Sequence, residues 1–267
     1  MELSFAVEGG RIGYDDSGND GPLLLCLPGM GVTRMTYELI RPLFVDAGYR
    51  VVTMDLRGAG SSDAVWSDYS PEAIARDAVA LLRHLDAGPA VLLTNSYTGA
   101  SAVWAAAEAP SLFRAIVLCA PFARVMPAPN PVMRLAIAAV GRFRPLWMLY
   151  WSSLFKTRKP ANHKAERAAL SANLAEPGRM AALRSMFAAD VSVCEARMGE
   201  VRTPALVLMG TKDPDFPDPA AEATLVASRI GATATMIDGA GHYPHSEFPA
   251  ETASAVLAFL NQPATHA

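Results

Sequence analysis

The sequence predicts an α/β domain, a mostly parallel twisted sheet flanked by helices, with a helical insertion. Three observations carry this: short unbroken apolar runs that recur along the chain, helical periodicity between them, and one long stretch where that alternation stops. An unbroken apolar run suits a strand covered on both faces, and strands alternating with amphipathic helices form parallel sheets. A chain of 267 residues, 51% hydrophobic and 18% charged, is long enough to bury one such core.

Taken in order, Phe5-Ala6-Val7 and Arg11-Ile12-Gly13-Tyr14 flank Gly9-Gly10 and read as an antiparallel hairpin at the sheet edge. Residues 23–27 form a continuous apolar run that ends at Pro28-Gly29, the signature of a central strand. Residues 50–55, 90–94, 114–119 and 205–209 repeat it. Ser70-Pro71 opens a helix with a cap and a proline at its first position, and Ile74, Ala78, Leu81, Leu82 and Leu85 share one face. After Pro249, Ala253, Val256, Leu257 and Leu260 mark the last helix. Between residues 121 and 200 there are helical patterns and no convincing strand. The expected organisation is therefore a core domain of residues 1–120 and 201–267 with a helical lid at 121–200. Such an insertion stands above the carboxyl edge of the strands, where open α/β sheets place their ligands.

The bulk composition excludes several classes. A formal charge of −3 supplies no field to gather a polyanion, so nucleic acid is not an expected partner. The opening residues Met1-Glu2-Leu3-Ser4-Phe5-Ala6-Val7-Glu8 lack a basic leader and a signal-like apolar stretch, which makes a cytoplasmic location the expectation. Cys26, Cys119 and Cys194 are odd in number and widely spaced, and read as small core residues of a reducing compartment. No histidine or cysteine pair has ligand spacing, so neither metal nor cofactor is expected.

The chemistry concentrates in three segments. Leu92-Leu93-Thr94-Asn95-Ser96-Tyr97-Thr98-Gly99-Ala100 runs from a strand through a polar break into a helix rich in small residues. Val207-Leu208-Met209-Gly210-Thr211-Lys212-Asp213-Pro214-Asp215 places an acid after a strand and a glycine turn. Gly239-Ala240-Gly241-His242-Tyr243-Pro244-His245 sets a histidine just before the terminal helix. The order of serine, aspartate and histidine, with the form of each loop, resembles the α/β-hydrolase fold family across residues 2–262.

That resemblance implies Ser96 as a nucleophile on a sharp strand-to-helix turn, His242 as its base and Asp213 as the acid that orients the histidine. Asp215 and Asp218 compete with Asp213 from the same loop, and His245 competes with His242, its other reading being a cap or surface residue. His84, His163 and His266 belong to no constellation. The family's glycines flanking the nucleophile are replaced by Thr94 and Thr98, which are small but β-branched. The resemblance further implies an oxyanion hole made by the backbone N–H of Tyr97 and that of Met30, the latter in Leu27-Pro28-Gly29-Met30-Gly31. Asp55-Leu56-Arg57-Gly58-Ala59-Gly60-Ser61-Ser62-Asp63 is expected to brace the loops around the site without touching substrate.

Residues 143–155 hold two of the chain's four tryptophans. The run falls short of the ~20 apolar residues that cross a bilayer, and the cations after it, Lys156, Arg158 and Lys159, form a small cluster. It reads as an amphipathic lid helix, with no stable membrane insertion. Met30, Tyr97, Met126, Trp147, Met148 and Trp151 are the expected substrate-binding residues, with Met133 as a further part of the adaptable lining; the alternative is that they pack the lid onto the core. The implied function is a cofactor-free serine hydrolase of a hydrophobic ester, lactone or thioester. Asn95-Ser96 also resembles the elbow of hydrolases that cleave carbon–carbon bonds, other members of the fold run non-hydrolytic chemistry, and the threonines leave a non-catalytic ligand-binding homologue as a third reading.

Overall fold

The computed structural model describes residues 2–262. Strands β1 (Glu2–Val7) and β2 (Gly10–Asp16) form the expected hairpin, with Phe5 opposite Ile12. Then come β3 (Leu23–Leu27), α1 (Arg41–Asp46), β4 (Arg50–Met54), α2 (Pro71–Leu85), β5 (Ala90–Asn95), α3 (Thr98–Glu108) and β6 (Phe113–Cys119). Ser70 caps α2 as its sequence predicts, its Oγ accepting from the Ala73 N–H at 3.2 Å, with Pro71 at the first helical position.

The eight strands form one sheet in the order β1-β2-β4-β3-β5-β6-β7-β8, where β7 spans Ala205–Gly210 and β8 Thr233–Ile237. Pairing is antiparallel through β1, β2 and β4 and parallel from β4 to β8. Side chains alternate between the two faces of each central strand. Leu25, Leu27, Leu92, Ile116 and Val207 face one cluster, completed by Ile74, Ala78, Leu81 and Leu82 of α2 and by Ala223 and Val226 of α9 (Pro219–Ile230). Leu24, Cys26, Val91, Leu93, Val117 and Leu206 face the other, with Phe44 of α1 and Ala253 and Val256 of the last helix (Pro249–Leu260). Both faces are covered, which is why these strands read as unbroken apolar runs. β8 carries no unbroken apolar run because it is an edge strand whose first four residues are exposed or half-buried.

Between β6 and β7 the chain forms α4 (Pro131–Arg142), α5 (Arg144–Ser153), α6 (His163–Asn173), α7 (Arg179–Ala188) and α8 (Ser192–Ala196), and no strand. Trp147, Met148, Trp151, Leu154 and Phe155 gather there with Leu170, Leu174 and Leu183 in a third cluster, which also takes in Val32 and Tyr243 from loops of the sheet. A short helix α10 (Pro244–Glu247) precedes the last one, α11. Among the described residues no helix is long and apolar enough to cross a membrane.

Candidate active site

Ser96 stands between β5 and α3 with φ at 58°, a left-handed conformation that a non-glycine residue keeps only when its surroundings over-determine it. Its N–H donates to the Cys119 carbonyl at 2.9 Å, and its own carbonyl accepts from the N–H groups of Gly99 and Phe122, each at 2.9 Å. These bonds from β6, α3 and the segment after β6 hold the turn at the carboxyl edge of the sheet.

Thr94 and Thr98 flank the turn without breaking it. The Thr94 hydroxyl donates to the Val117 carbonyl on β6 at 3.3 Å. Thr98 Oγ1 accepts from the Asn95 N–H at 3.2 Å and lies 2.9 Å from the Asn95 carbonyl, 3.2 Å from that of Leu27 and 3.1 Å from that of Pro28. The single hydroxyl proton has three carbonyls to choose from, two of them at the end of β3, so Thr98 can fasten the serine turn to that strand, which glycine has no side chain to do. The small residue needed for close packing comes one position later, since a Cβ on Gly99 would stand 2.6 Å from the Pro121 Cβ. Asn95 is also structural: its Nδ2 donates to the carbonyls of Cys119 and His242, both at 3.2 Å, joining β5 to the histidine loop. That role accounts for an asparagine before Ser96 without invoking carbon–carbon cleavage.

His242 is 2% exposed, and its Nδ1 donates to Asp213 Oδ2 at 2.8 Å. Asp215 Oδ2 lies 3.6 Å from the same nitrogen, and the Asp215 N–H donates to Asp213 Oδ1 at 3.0 Å. Burial pushes the imidazole pKa down. The charges of Asp213 and Asp215 and the Asp213 hydrogen bond outweigh it and raise the pKa from 6.5 to about 9. The Asp215 carboxyl is itself raised, by burial first, with the His242 charge and the Tyr150 hydrogen bond opposing and Asp213 reinforcing. These three side chains bring ligand atoms within 4.8 Å of one another, which is cation-site spacing. The donor set does not fit: the carboxylate facing Nδ1 assigns a proton to that nitrogen, leaving no lone pair there for a metal.

A single helix of the inserted segment reaches three loops of the site. The Trp147 indole N–H donates to the Gly31 carbonyl at 3.0 Å, and the Tyr150 hydroxyl stands 2.8 Å from each oxygen of Asp215. The carbonyl of Leu154, just past α5, accepts from the His242 N–H at 3.0 Å. Gly241 allows this approach, because a Cβ there would collide with the Leu154 carbonyl.

Several sequence expectations change. Trp147, Met148 and Trp151, expected against substrate, are buried in the cluster that packs the helices onto the core, where an indole ring buries more area than any other side chain. The Tyr97 side chain is likewise buried, its hydroxyl donating to the Tyr69 carbonyl at 2.9 Å; Met30 and Met126 are partly buried against the core, and Met133 is exposed on α4. His245 is not a surface residue: it is fully buried, its Nε2 is 3.0 Å from Thr36 Oγ1, and its ring stacks on Tyr37 at 4.7 Å. Of the two competing acids, Asp215 stands beside His242, whereas Asp218 caps α9 by accepting from the Ala221 N–H at 3.0 Å. His84 stacks on Phe5 and His163 on Trp151, and His266, like Met1, lies outside the described residues. Arg57 pairs with both oxygens of Asp77 at 2.7 Å, and Asp55 pairs with Arg34, so the 55–63 segment does brace neighbouring loops.

Among the described residues the backbone N–H groups of Met30 and Tyr97 have no acceptor. The rings of Phe122 and Phe216 stand 5.8 Å and 6.4 Å from that of His242 and 4.8 Å from each other. Sequence reading missed both as walls of the site. The place of Phe122 just past the carboxyl end of β6 was a usable signal, whereas Phe216 and Tyr150 carried none.

A serine at a strained turn between β5 and α3, with a histidine and an acid on later loops of a mostly parallel sheet, defines the α/β-hydrolase fold class. The chain belongs to the alpha/beta hydrolase family, whose model matches residues 24–255. The polyketide synthase ThaQ of Burkholderia thailandensis is 30% identical over 256 residues, which are 92% of this chain and 12% of ThaQ. The 2-(acetamidomethylene)succinate hydrolase of Mesorhizobium japonicum is 34% identical over 119 residues, 43% of this chain and 41% of that protein. The chain thus spans well under two thirds of the curated relatives it matches. Among solved structures, a bromoperoxidase from Bacillus anthracis superposes with a TM-score of 0.83 at 18% identity, covering 98% of this chain and all of that one. Est816, an N-acyl homoserine lactone degrading enzyme, does so with a TM-score of 0.80 at 23% identity, covering 96% of this chain and 100% of its own.

Proposed function

We propose that this chain is a cofactor-free serine hydrolase that cleaves a carboxylic ester, lactone or thioester of a hydrophobic small molecule through an acyl-enzyme. The observation that carries this reading is Ser96 at φ 58° on a turn whose neighbouring loop holds His242 bonded to Asp213 at 2.8 Å. Ser96 Oγ attacks the acyl carbon while His242 Nε2 takes the hydroxyl proton and passes it to the leaving oxygen or sulfur; water then attacks the acyl-serine by the same route. Asp213 orients the ring and stabilises the imidazolium without taking its proton. The N–H groups of Met30 and Tyr97, which have no acceptor among the described residues, suit the developing oxyanion.

Phe122 and Phe216 beside His242 support an apolar acyl or leaving group. In this reading residues 121–200 are the cap of the site, with α5 bracing it. The three free, buried cysteines accord with action in the cytoplasm.

The test is labelling of the purified chain with a fluorophosphonate, located by peptide mapping, alongside turnover of p-nitrophenyl esters of increasing chain length. Labelling at Ser96, lost in Ser96→Ala together with at least ~10³-fold of the turnover, is the expected result. Undiminished labelling of Ser96→Ala would remove the assignment. A folded chain that neither labels nor turns over ester, but is stabilised by a hydrophobic ligand, would be a binding protein on this fold.

A further inference from the structure

The net charge of −3 conceals a strong asymmetry. Residues 121–200 carry twelve Lys and Arg against five Asp and Glu, while the remainder carries eleven against twenty-one. Within residues 121–160 there are seven cations and no acid at all. Some of these cations are used internally: Arg124 pairs with Glu222, Arg158 with Glu251, and Arg144 donates to the Ser171 carbonyl. Arg134 is exposed on α4 and Arg142, at its end, lies over the Phe143 ring; neither has a carboxylate partner among the described residues.

The same region exposes its apolar side chains. Every residue from 130 to 138 is exposed, so the first two turns of α4 bury no side chain. Val132 is 78% and Leu135 73% exposed, Ile137 follows them on α4, and Leu149 on α5 is 68% exposed. Water against so many aliphatic side chains is unfavourable, and so concentrated an exposed apolar surface marks a contact site.

We propose that α4, with the exposed edge of α5, seats this protein on an anionic lipid surface. A second copy would set one acid-free, cationic face against another. A folded acidic protein would find little to pair with, since Arg134 is the sole charged or hydrogen-bonding side chain on the first two turns of α4. A fluid acyl layer takes up exposed aliphatic side chains without matching their shape, while anionic headgroups meet Arg134 and Arg142. At twelve residues α4 lies in the interface and does not span it. The proposal is independent of the hydrolase reading.

The experiment is flotation of the full chain with vesicles of phosphatidylcholine alone and of phosphatidylcholine mixed with phosphatidylglycerol, at low and high salt. Wild type is compared with Leu135→Glu and with the double variant Arg134→Glu, Arg142→Glu, whose folding is checked by circular dichroism. The expected result is binding to the anionic vesicles that falls with salt and drops at least about tenfold in both variants. Equal binding to both vesicles, or unchanged flotation of Leu135→Glu, overturns the proposal. So does an absence of flotation; a salt-sensitive dimer that Leu135→Glu dissociates, or retention on immobilised polyaspartate, would then assign the face to a second copy or to an acidic protein.

Discussion

The Tyr150 hydroxyl stands 2.8 Å from both oxygens of Asp215, and that carboxylate lies 3.6 Å from the ring nitrogen His242 gives to Asp213. Two carboxylates therefore face one imidazole, and the second is held by a helix inserted between β6 and β7. Tyr150 is a positioning residue here: it donates to the ionised form of Asp215 and favours its charge beside His242.

In the proposed hydrolase His242 acts as a base only when neutral, so the free protein's kcat/KM should rise with pH along a limb centred near its pKa of about 9. Asp215→Asn removes one of the two charges, and the limb should move down by about one unit. Tyr150→Phe should move it in the same direction by less. A kcat/KM profile that keeps its midpoint in both variants would reduce Asp215 and Tyr150 to packing.

The raised His242 pKa also links stability to pH. Because the folded value of about 9 lies above the ordinary 6.5, the pair with Asp213 and Asp215 contributes in full below about 6.5 and is lost as pH rises towards and through 9. The loss should total about 3 kcal/mol in urea unfolding. His242→Gln should flatten that decline, and a variant that retains the full slope would contradict the linkage.

His245, three residues further on, should behave in the opposite sense. Burial first, then the charge on His242, lowers its pKa from 6.5 to about 3. Its neutral form contributes stability above about 6.5 that is lost as pH falls towards 3. Between 6.5 and about 5, above the carboxylate range, unfolding free energy should fall by up to about 1.4 kcal/mol per pH unit. His245→Gln should lose this slope in denaturant titrations, whatever its stability at neutral pH.

Thr98 supplies a test of the serine turn itself. Thr98→Val keeps the shape but leaves the Asn95 N–H and the carbonyls it served without their hydroxyl, at a cost of about 1–3 kcal/mol. Thr98→Ser restores the hydroxyl and should recover most of that stability in thermal unfolding. A Thr98→Val variant as stable as wild type, with the loss in Thr98→Ser instead, would point to the methyl group and away from the hydrogen bonds.

Much of the fold was legible in the sequence because its signals are local. An unbroken apolar run such as residues 23–27 reports a strand covered on both faces, and Ser70-Pro71 reports a helix start, whatever lies elsewhere. The bond from His242 to Asp213 pairs residues whose loops the sequence had already singled out. β8 gives little local signal because an edge strand has no obligatory apolar run. His245 was misread, and the hold of Tyr150 on Asp215 went unseen, because those surroundings come from residues distant in the chain.

By itself the sequence determined the sheet, the covering helices and the order in which a serine, an acid and a histidine arrive at one edge, since periodicity and turn chemistry act over a few residues. Tertiary structure alone decided which side chains of residues 121–200 are buried and which meet solvent. Trp147 and Trp151 became core while Val132 and Leu135 stayed outside, because burial depends on what packs opposite a residue, and an apolar side chain carries no record of its partner.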